Sequence, residues 1–477
     1  MCCTPVNPGG LRLPSVWLFT HPQALEAYAM DKSIGQLMDE KPMAGFQWAV
    51  IGLCFLINML DGFDVLVMAF TAASVSSEWA LTGTRLGYLL SAGLVGMAVG
   101  SLFIAPWADR FGRRPLILVC VTVAGLGMVS SSQASSPEML AALRLLTGLG
   151  IGGVLASSYV IAGEYASKKW RGLAISLQST AYALGATIGG LIAAQIIPSM
   201  GWRAVFFYGG VVTLMTLPLL LWWLPESLVF LASRQPKGAL AKVNRLLARV
   251  RLQTIAQLPP VQQSAHQPLR VAFAQLFSPA LLRSTLLIWL AFFLVMFGFY
   301  FVMSWTPRLL VTAGLSNQQG ITGGVLLNVG GIVGTAVIGL LAARYKLSRV
   351  LIAYLMLNSL LLAMFVQFTS NLNLAFGLAL AIGVFVNGCV AGLYALTPTL
   401  YSASQRVTGL GWGIGIGRSG AILSPLVAGQ LIDAQWAPTQ LYVLFAGAFL
   451  LAALAIWALK PRSAGELQPT TSVMTTK

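Results

Sequence analysis

A few ionisable side chains interrupt the long apolar stretches of this sequence, and they are the residues best placed to do chemistry. Asp61 and Asp64 stand three positions apart, so a helix would present both carboxylates on one face. Arg144 and Arg418 lie in two other apolar stretches. Because a charge buried without a partner is costly, each of these residues is a candidate for a functional role.

The aspartate pair suits the uptake and release of a proton. Desolvation favours the neutral form of a carboxyl group, and a second carboxylate nearby favours that form further. The two histidines, His21 and His266, lie outside the apolar stretches, so an imidazole relay cannot run through them. Any proton must therefore be carried by a carboxylate, and we predict Asp61 and Asp64 as the proton-coupling residues.

The two arginines suit the binding of an anion. Arg418 is surrounded in sequence by glycines, and its planar guanidinium can hold a carboxylate through two parallel hydrogen bonds. Arg144 is expected at the depth of the aspartate pair, where it can form an ion pair. We predict both arginines as substrate-binding residues. The alternative is structural, because a buried Asp beside an Arg can simply hold two helices together.

The composition excludes most classes of protein. The chain has 477 residues, of which 57% are hydrophobic and 9% charged, with a mean hydropathy of +0.80. Soluble globular chains carry about 25% charged residues, so this chain is predicted to be an integral membrane protein. In a membrane protein, the net charge of +16 indicates which loops are cytoplasmic and does not indicate nucleic-acid binding. HExxH, GxSxG and Cys/His clusters are missing from the sequence, so we predict no enzyme, cofactor or metal site.

The spacing of the charges predicts membrane-spanning helices. A helix needs about 20 apolar residues to cross the hydrocarbon core, and the long charge-free intervals of the sequence are about that length or longer. We predict an all-α integral membrane fold with twelve spans in two six-helix bundles. Its segments are an N-terminal tail (1–41), a first bundle (42–224), a linker (225–283), a second bundle (284–460) and a C-terminal tail (461–477).

The basic residues predict the orientation of the spans, because Lys and Arg are enriched in cytoplasmic loops. With the N-terminus in the cytoplasm, the turns around Arg110, Lys168 and Arg344 and the basic linker all lie on that side. Both termini are therefore predicted to be cytoplasmic, in a multi-pass protein of the cell's inner membrane. Residues 1–29 lack the pattern of a signal peptide, and we expect them to be disordered or not translated.

The two bundles carry a weak internal repeat. The charged turn at residues 109–114 recurs at 344–349, with an offset of 344 − 110 = 234 residues. The turn at residues 164–171 is echoed at 401–406, with an offset of 406 − 171 = 235 residues. Parallel repeats with a binding site at their interface are typical of secondary transporters.

These motifs resemble the major facilitator superfamily over residues 42–460. The superfamily's signature loop is similar to Asp109-Arg110-Phe111-Gly112-Arg113-Arg114. Its fourth-helix pattern is similar to Arg144 with Gly148, Gly150 and Gly152. The end of its sixth helix is similar to Pro225-Glu226-Ser227. Two further segments resemble motifs of the superfamily's aromatic acid:proton symporter branch. They are Asp61-Gly62-Phe63-Asp64 and Gly417-Arg418-Ser419-Gly420-Ala421.

The resemblance implies a proton-coupled secondary transporter that imports a small organic acid anion. That anion would be an aromatic acid of the benzoate or hydroxybenzoate type, or a ring-cleavage product such as muconate. The alternatives are a carrier or exporter for another metabolite or drug, which the same fold supports, and a transporter-like sensor. We expect a monomer in the lipid bilayer, with the anion and protons as its partners and no nucleic acid.

A second group of charged residues is expected at the cytoplasmic ends of the early spans. Glu164 and Arg171 lie there beside the signature loop, and the group is predicted to form a gating network that holds the inner side closed. Its predicted members are Asp109, Arg110, Gly112, Arg113, Arg114, Glu164 and Arg171.

Overall fold

The computed structural model describes residues 38, 42–258, 274–279, 281–365, 367, 371–401 and 405–459. Within these residues the regular secondary structure is helical. The predictions for residues 1–29, for the C-terminal tail 461–477 and for His21 and His266 lie outside the described residues.

The first half of the chain forms six long helices. They are α1 (Gly45–Glu78), α2 (Gly83–Val99), α3 (Arg113–Ser131), α4 (Pro137–Tyr165), α5 (residues 168–200) and α6 (residues 202–215). Helical turns extend α2 as far as Phe111, and a further helix, Leu217–Trp223, prolongs α6.

The break between α5 and α6 is a single residue. Gly201 has φ +78°, which an L side chain rarely adopts, so the chain can change direction there only because the residue is glycine. Pro198 lies shortly before this break, and a proline inside a helix often ends or kinks it. The helix instead continues through that proline to residue 200, and the backbone freedom of glycine decides where it stops.

The second half also forms six long helices. They are α7 (Leu282–Thr312), α8 (Asn317–Arg344), α9 (Leu347–Phe365), α10 (Leu372–Leu396), α11 (Arg406–Asp433) and α12 (Pro438–Trp457).

The described residues confirm twelve helices of spanning length. Ten stretches are long and apolar enough to cross a membrane, and one of them, Lys168–Trp223, contains both α5 and α6. Helix α11 is less apolar because it carries Arg418 and many glycines, but its 28 residues are enough to span.

The two halves pack against each other through matching helices: α2 lies on α11, α5 on α8 and α1 on α7. We call the end that holds the start of α1 and the α2–α3 turn the basic end, because Arg110 and Arg113 lie there. The opposite end, where α1 finishes and α2 begins, is the far end.

Glycines allow close approach of helices within the first half. A Cβ at Gly62 of α1 would collide with the α5 backbone, and a Cβ at Gly185 of α5 would collide with the α1 backbone.

Between the halves lie two short helices, Leu228–Arg234 and Ala239–Arg249. Their apolar residues, including Val243 and Leu247, are buried in one cluster with residues of α3 and α4. These two helices of the linker are therefore packed onto the basic end of the first half.

Candidate functional site

Asp64 and Arg144 form a buried ion pair between α1 and α4. The Arg144 Nη1 donates to Asp64 Oδ1 at 2.8 Å, and Nη2 donates to the Asp64 carbonyl oxygen at 2.7 Å and to Oδ2 at 3.3 Å. Both side chains are buried, and the guanidinium also lies over the Phe206 ring, 5.7 Å from its centroid. The structure therefore contains the ion pair that the sequence predicted, and both terminal nitrogens of Arg144 bond to Asp64.

Asp61 lies one turn before Asp64 and has different surroundings. It is buried, and neither carboxylate oxygen has a hydrogen-bond partner among the described residues. Its charged neighbours are Asp64 and Arg418, of which the second belongs to the other half. An ionised carboxylate is costly to bury without a hydrogen bond, so this group is poised to take up a proton or a ligand.

A polar network one turn from Asp61 fixes the position of α1. Asn58 Nδ2 donates to Gln178 Oε1 at 2.8 Å and to Ser158 Oγ at 3.0 Å, which joins α1 to α5 and α4. The sequence could not rank Asn58 and Gln178 as binding or structural residues. Their mutual hydrogen bonds show that they tie helices together beside the aspartate.

Arg418 lies at the middle of α11, on the surface where the two halves meet. Its Nη1 donates to the carbonyl oxygen of Met97 in α2 at 2.9 Å, and the side chain is half-buried. Among the described residues, its Nη2 and Nε have no partner. Two guanidinium nitrogens therefore remain for a ligand.

Two faces of α11 explain why its glycines surround Arg418. A Cβ at Gly413 or Gly417 would press on Phe292 or Met296, at 2.9 and 3.0 Å, so this face packs on α7. Gly411 and Gly415 share the face of Arg418, and a Cβ there would meet no atom within 4 Å. The space between the halves is thus open along α11 from the basic end up to Arg418.

Four tyrosines lie near Asp61, Arg418 or both. They come from α4, α5, α7 and α10, and each interacts electrostatically with one or both of these charged groups; they are Tyr159, Tyr182, Tyr300 and Tyr394. The Tyr159 hydroxyl lies 3.2 Å from Ser179 Oγ. Among the described residues, the hydroxyls of the other tyrosines have no hydrogen-bond partner. Their phenol groups are free to contact a ligand.

The sequence alone does not select this tyrosine set. Tyr159, Tyr300 and Tyr394 lie in predicted spans, but nothing in the sequence separates them from aromatic residues that only pack. Tyr182 was missed. Its position four residues after Gln178, on the same face of α5, was the available signal.

Other aromatics of α7 pack within the second half. Phe301 stacks on Phe445 of α12 with ring centroids 3.9 Å apart, and Phe297 stacks on the same ring at 4.7 Å. Trp305 is fully buried. Tyr300 differs from these residues because it packs against an apolar cluster that includes Leu94 and Met97 of the first half.

At the basic end, a second charge cluster joins α3 and α4 to the linker. The Arg113 guanidinium pairs with Glu164, and its Nη1 donates to Ser227 Oγ at 2.9 Å. Glu226 Oε1 accepts from the backbone amides of Arg113 and Arg114 at 2.8 and 3.2 Å, which caps the start of α3. Glu226 and Ser227 were noticed in the sequence as part of a motif but had no predicted role.

Gly112 is required by this cap. It has φ +104°, and a Cβ there would collide with the Glu226 carboxylate. The glycine in the loop therefore provides both the turn into α3 and the space for the capping acid.

The side chains of the other predicted network residues make contacts of their own. Asp109 is 74% exposed and lies 3.7 Å from Arg113. Arg110 lies over the ring of Phe111, Arg114 Nη2 donates to the Leu221 carbonyl, and Arg171 Nε donates to the Gly163 carbonyl at 3.2 Å. Whether these residues gate transport stays a prediction.

At the far end the halves are in direct contact. Ser91 Oγ of α2 donates to the carbonyl oxygen of Ile422 in α11 at 2.8 Å, and Asn317 Nδ2 of α8 donates to Ser74 Oγ of α1 at 2.9 Å. Phe70 of α1 packs against Gly324 of α8. The site around Arg418 is thus closed toward the far end and open toward the basic end.

Comparison with known proteins adds a family and relatives. The chain matches the model of the Major Facilitator Superfamily over residues 53–357. It is 37% identical over 427 residues to the gallate transporter of Pseudomonas putida, which covers 88% of this chain and 93% of that relative. It is 32% identical over 416 residues to the 4-hydroxybenzoate transporter PcaK of Pseudomonas putida, covering 87% of this chain and 92% of the relative.

A solved structure has the same fold. The inward open conformation of the xylose transporter XylE from E. coli superposes with a TM-score of 0.67, covering 88% of this chain and 98% of that one. The sequence identity is 16%, so the likeness concerns the fold alone.

Proposed function

We propose that this chain, which belongs to the Major Facilitator Superfamily, imports a hydroxylated aromatic acid together with protons. Its relatives named above carry gallate and 4-hydroxybenzoate, which are both aromatic acids with ring hydroxyls. The observation that carries the proposal is the half-buried Arg418, which lies near Tyr300 and Tyr394 and has two guanidinium nitrogens without a hydrogen bond among the described residues.

Arg418 binds the carboxylate of the substrate in this proposal. A guanidinium can make two parallel hydrogen bonds to a carboxylate, and charged hydrogen bonds contribute roughly 1.5 to 3 kcal/mol. The Nη1 bond to Met97 orients the side chain from the opposite half. The tyrosine hydroxyls near it form hydrogen bonds with the hydroxyl groups on the substrate ring, and the tyrosine rings supply apolar contact to that ring.

Asp61 carries the proton in this proposal, and Asp64 holds it in place. Arg144 bonds to both carboxylate oxygens of Asp64, whereas the Asp61 oxygens have no hydrogen-bond partner in the part of the chain that the structure describes. A proton on Asp61 removes the electrostatic attraction between that carboxylate and Arg418, leaving the arginine to the substrate anion. Proton binding and anion binding would thus support each other across the two halves.

The energetics of uptake favour such coupling. Moving one anion into an inside-negative cell costs about 2.3 kcal/mol per 100 mV of membrane potential. One proton cancels the charge of a monovalent acid, and a second proton makes uptake electrically driven.

We assign the protein to the inner membrane of the cell. We assign its basic end to the cytoplasmic side, since Lys and Arg are enriched in cytoplasmic loops. With this orientation the structure is open to the cytoplasm, which is the state that releases substrate after import. One chain supplies both halves of the site, so a monomer suffices for transport.

Counterflow in proteoliposomes tests this function. Vesicles are loaded with unlabelled 4-hydroxybenzoate, gallate, benzoate or xylose, and entry of labelled 4-hydroxybenzoate is followed. We expect exchange from the aromatic acids and none from xylose. Specific binding of the aromatic acids without any counterflow would indicate a sensor, and counterflow driven equally by xylose would contradict the assignment.

A further inference from the structure

Asp433, the last residue of α11, bonds to the first turn of α2 in the other half. Its Oδ1 accepts from the Gly83 amide at 2.6 Å, and its Oδ2 accepts from the Thr84 amide at 2.8 Å. The amides at the start of a helix have no partner within the helix, and this end carries a partial positive charge. The carboxylate therefore caps α2 across the boundary between the halves.

The backbones approach closely beside this cap. A Cβ at Gly83 would collide with the Gly429 carbonyl, and a Cβ at Gly429 would collide with the Gly83 carbonyl. One turn deeper, a Cβ at Gly87 would lie 2.5 Å from the Pro425 carbonyl oxygen. The contact between α2 and α11 at the far end thus depends on residues that have no side chain.

Another carboxylate at the same end makes its bonds within one half. Glu78 Oε2, at the end of α1, accepts from Trp202 Nε1 at 2.6 Å and from Arg203 Nη1 at 2.8 Å, both near the start of α6. These helices belong to the first half and keep their contact when the halves move as units. Asp433 must instead lose its partners if the far end opens.

We propose that Asp433 and the N-terminus of α2 form a latch that holds the far end closed and breaks in every transport cycle. The latch rests on the proposed function in one respect, since only a transporter needs its far end to open. It stabilises the state open at the basic end, and its removal shifts the population toward the state open at the far end.

A distance measurement between spin labels tests the latch. The native cysteines are replaced, and labels are attached through Ser135→Cys, in the turn before α4, and Thr439→Cys, at the start of α12; both positions are exposed at the far end. In reconstituted protein without substrate, Asp433→Asn should shift the distance distribution toward longer values. Glu78→Gln, the matched control, should leave the wild-type distribution unchanged.

A glycine pair tests the same contact by another route. Gly83→Ala should lengthen the far-end distance, because its Cβ collides with α11, whereas Gly447→Ala should not, because a Cβ there meets no atom within 4 Å. Unchanged distances in both Asp433→Asn and Gly83→Ala, with counterflow of aromatic acid intact, would overturn the latch alone. Longer distances in both variants, without counterflow of any aromatic acid, would leave the latch standing and remove the proposed substrate.

Discussion

Two aspartates that look equivalent in the sequence have different partners in the fold. Asp64 is held by Arg144 through both carboxylate oxygens, while Asp61 has no hydrogen-bond partner among the described residues. The pair was predicted as one proton-coupling unit. The structure supports a division in which Asp61 exchanges the proton and the Asp64–Arg144 pair positions it.

Removing the charge of Asp64 should destabilise the protein. Asp64→Asn leaves the Arg144 guanidinium buried without its counter-ion, and breaking a buried pair typically costs about 3 to 5 kcal/mol. We expect a lower unfolding temperature in detergent together with loss of proton-driven accumulation. Asp109→Asn is the control, since Asp109 is 74% exposed and should change the unfolding temperature little. Equal unfolding temperatures for Asp64→Asn and wild type would contradict the pairing.

Arg418→Lys should weaken substrate binding although it keeps the charge. The planar fork that can make two hydrogen bonds is replaced by a compact, strongly hydrated ammonium. Loss of one charged hydrogen bond should raise the half-saturation concentration about tenfold or more. Initial uptake rate against concentration, at matched expression, measures this; an unchanged half-saturation value would mean that Arg418 only braces α11.

Tyr300→Phe should reduce selectivity for hydroxylated substrates. A neutral hydrogen bond contributes about 0.5 to 1.5 kcal/mol, so the affinity for 4-hydroxybenzoate should fall roughly 2- to 10-fold while that for benzoate stays the same. Competition of both acids against labelled substrate measures the ratio. Tyr442→Phe is the control, because the Tyr442 hydroxyl lies 2.8 Å from Thr306 inside the second half. A parallel loss for both acids would argue against hydroxyl recognition.

At the scale of elements, the turn into α3 depends on one glycine. Gly112→Ala forces a side chain into φ +104° and against Glu226, which should cost about 1 to 3 kcal/mol. Thermal unfolding in detergent measures the loss. Gly172→Ala is the control, since that residue is helical and a Cβ there meets no atom within 4 Å. An unfolding temperature for Gly112→Ala equal to that of the control would show that Glu226 does not need this space.

The elements themselves were largely predictable, because the cost of charge in hydrocarbon leaves intervals of spanning length between charges. Features that depend on backbone geometry and tertiary contacts, such as helix breaks and caps, could not be predicted. The α5–α6 break lies at Gly201 rather than Pro198, and the α3 cap comes from Glu226, more than a hundred residues away in sequence. Such contacts depend on tertiary packing and leave no local pattern.

At the scale of the whole molecule, the candidate site exists only where the two halves meet. Asp61 and the motif around Arg418 could be found from the sequence because charges in apolar stretches are rare. The tyrosines could not be selected, because aromatic residues in membrane helices usually pack, and only the fold shows that Tyr182 and Tyr300 lie near these charges. The Asp433 contact with α2 was likewise hidden by a separation of 350 residues.

The most direct test of the account is uptake of labelled 4-hydroxybenzoate into proteoliposomes with an imposed proton gradient, acid outside, compared between wild type and Asp61→Asn. An amide keeps the shape of the carboxyl group but cannot carry the exchangeable proton. We predict that wild type accumulates the acid above its external concentration and loses this accumulation when the gradient is collapsed, while Asp61→Asn shows counterflow without accumulation. Full gradient-driven accumulation by Asp61→Asn, at equal reconstituted amounts, would contradict the central claim that Asp61 couples the proton to transport.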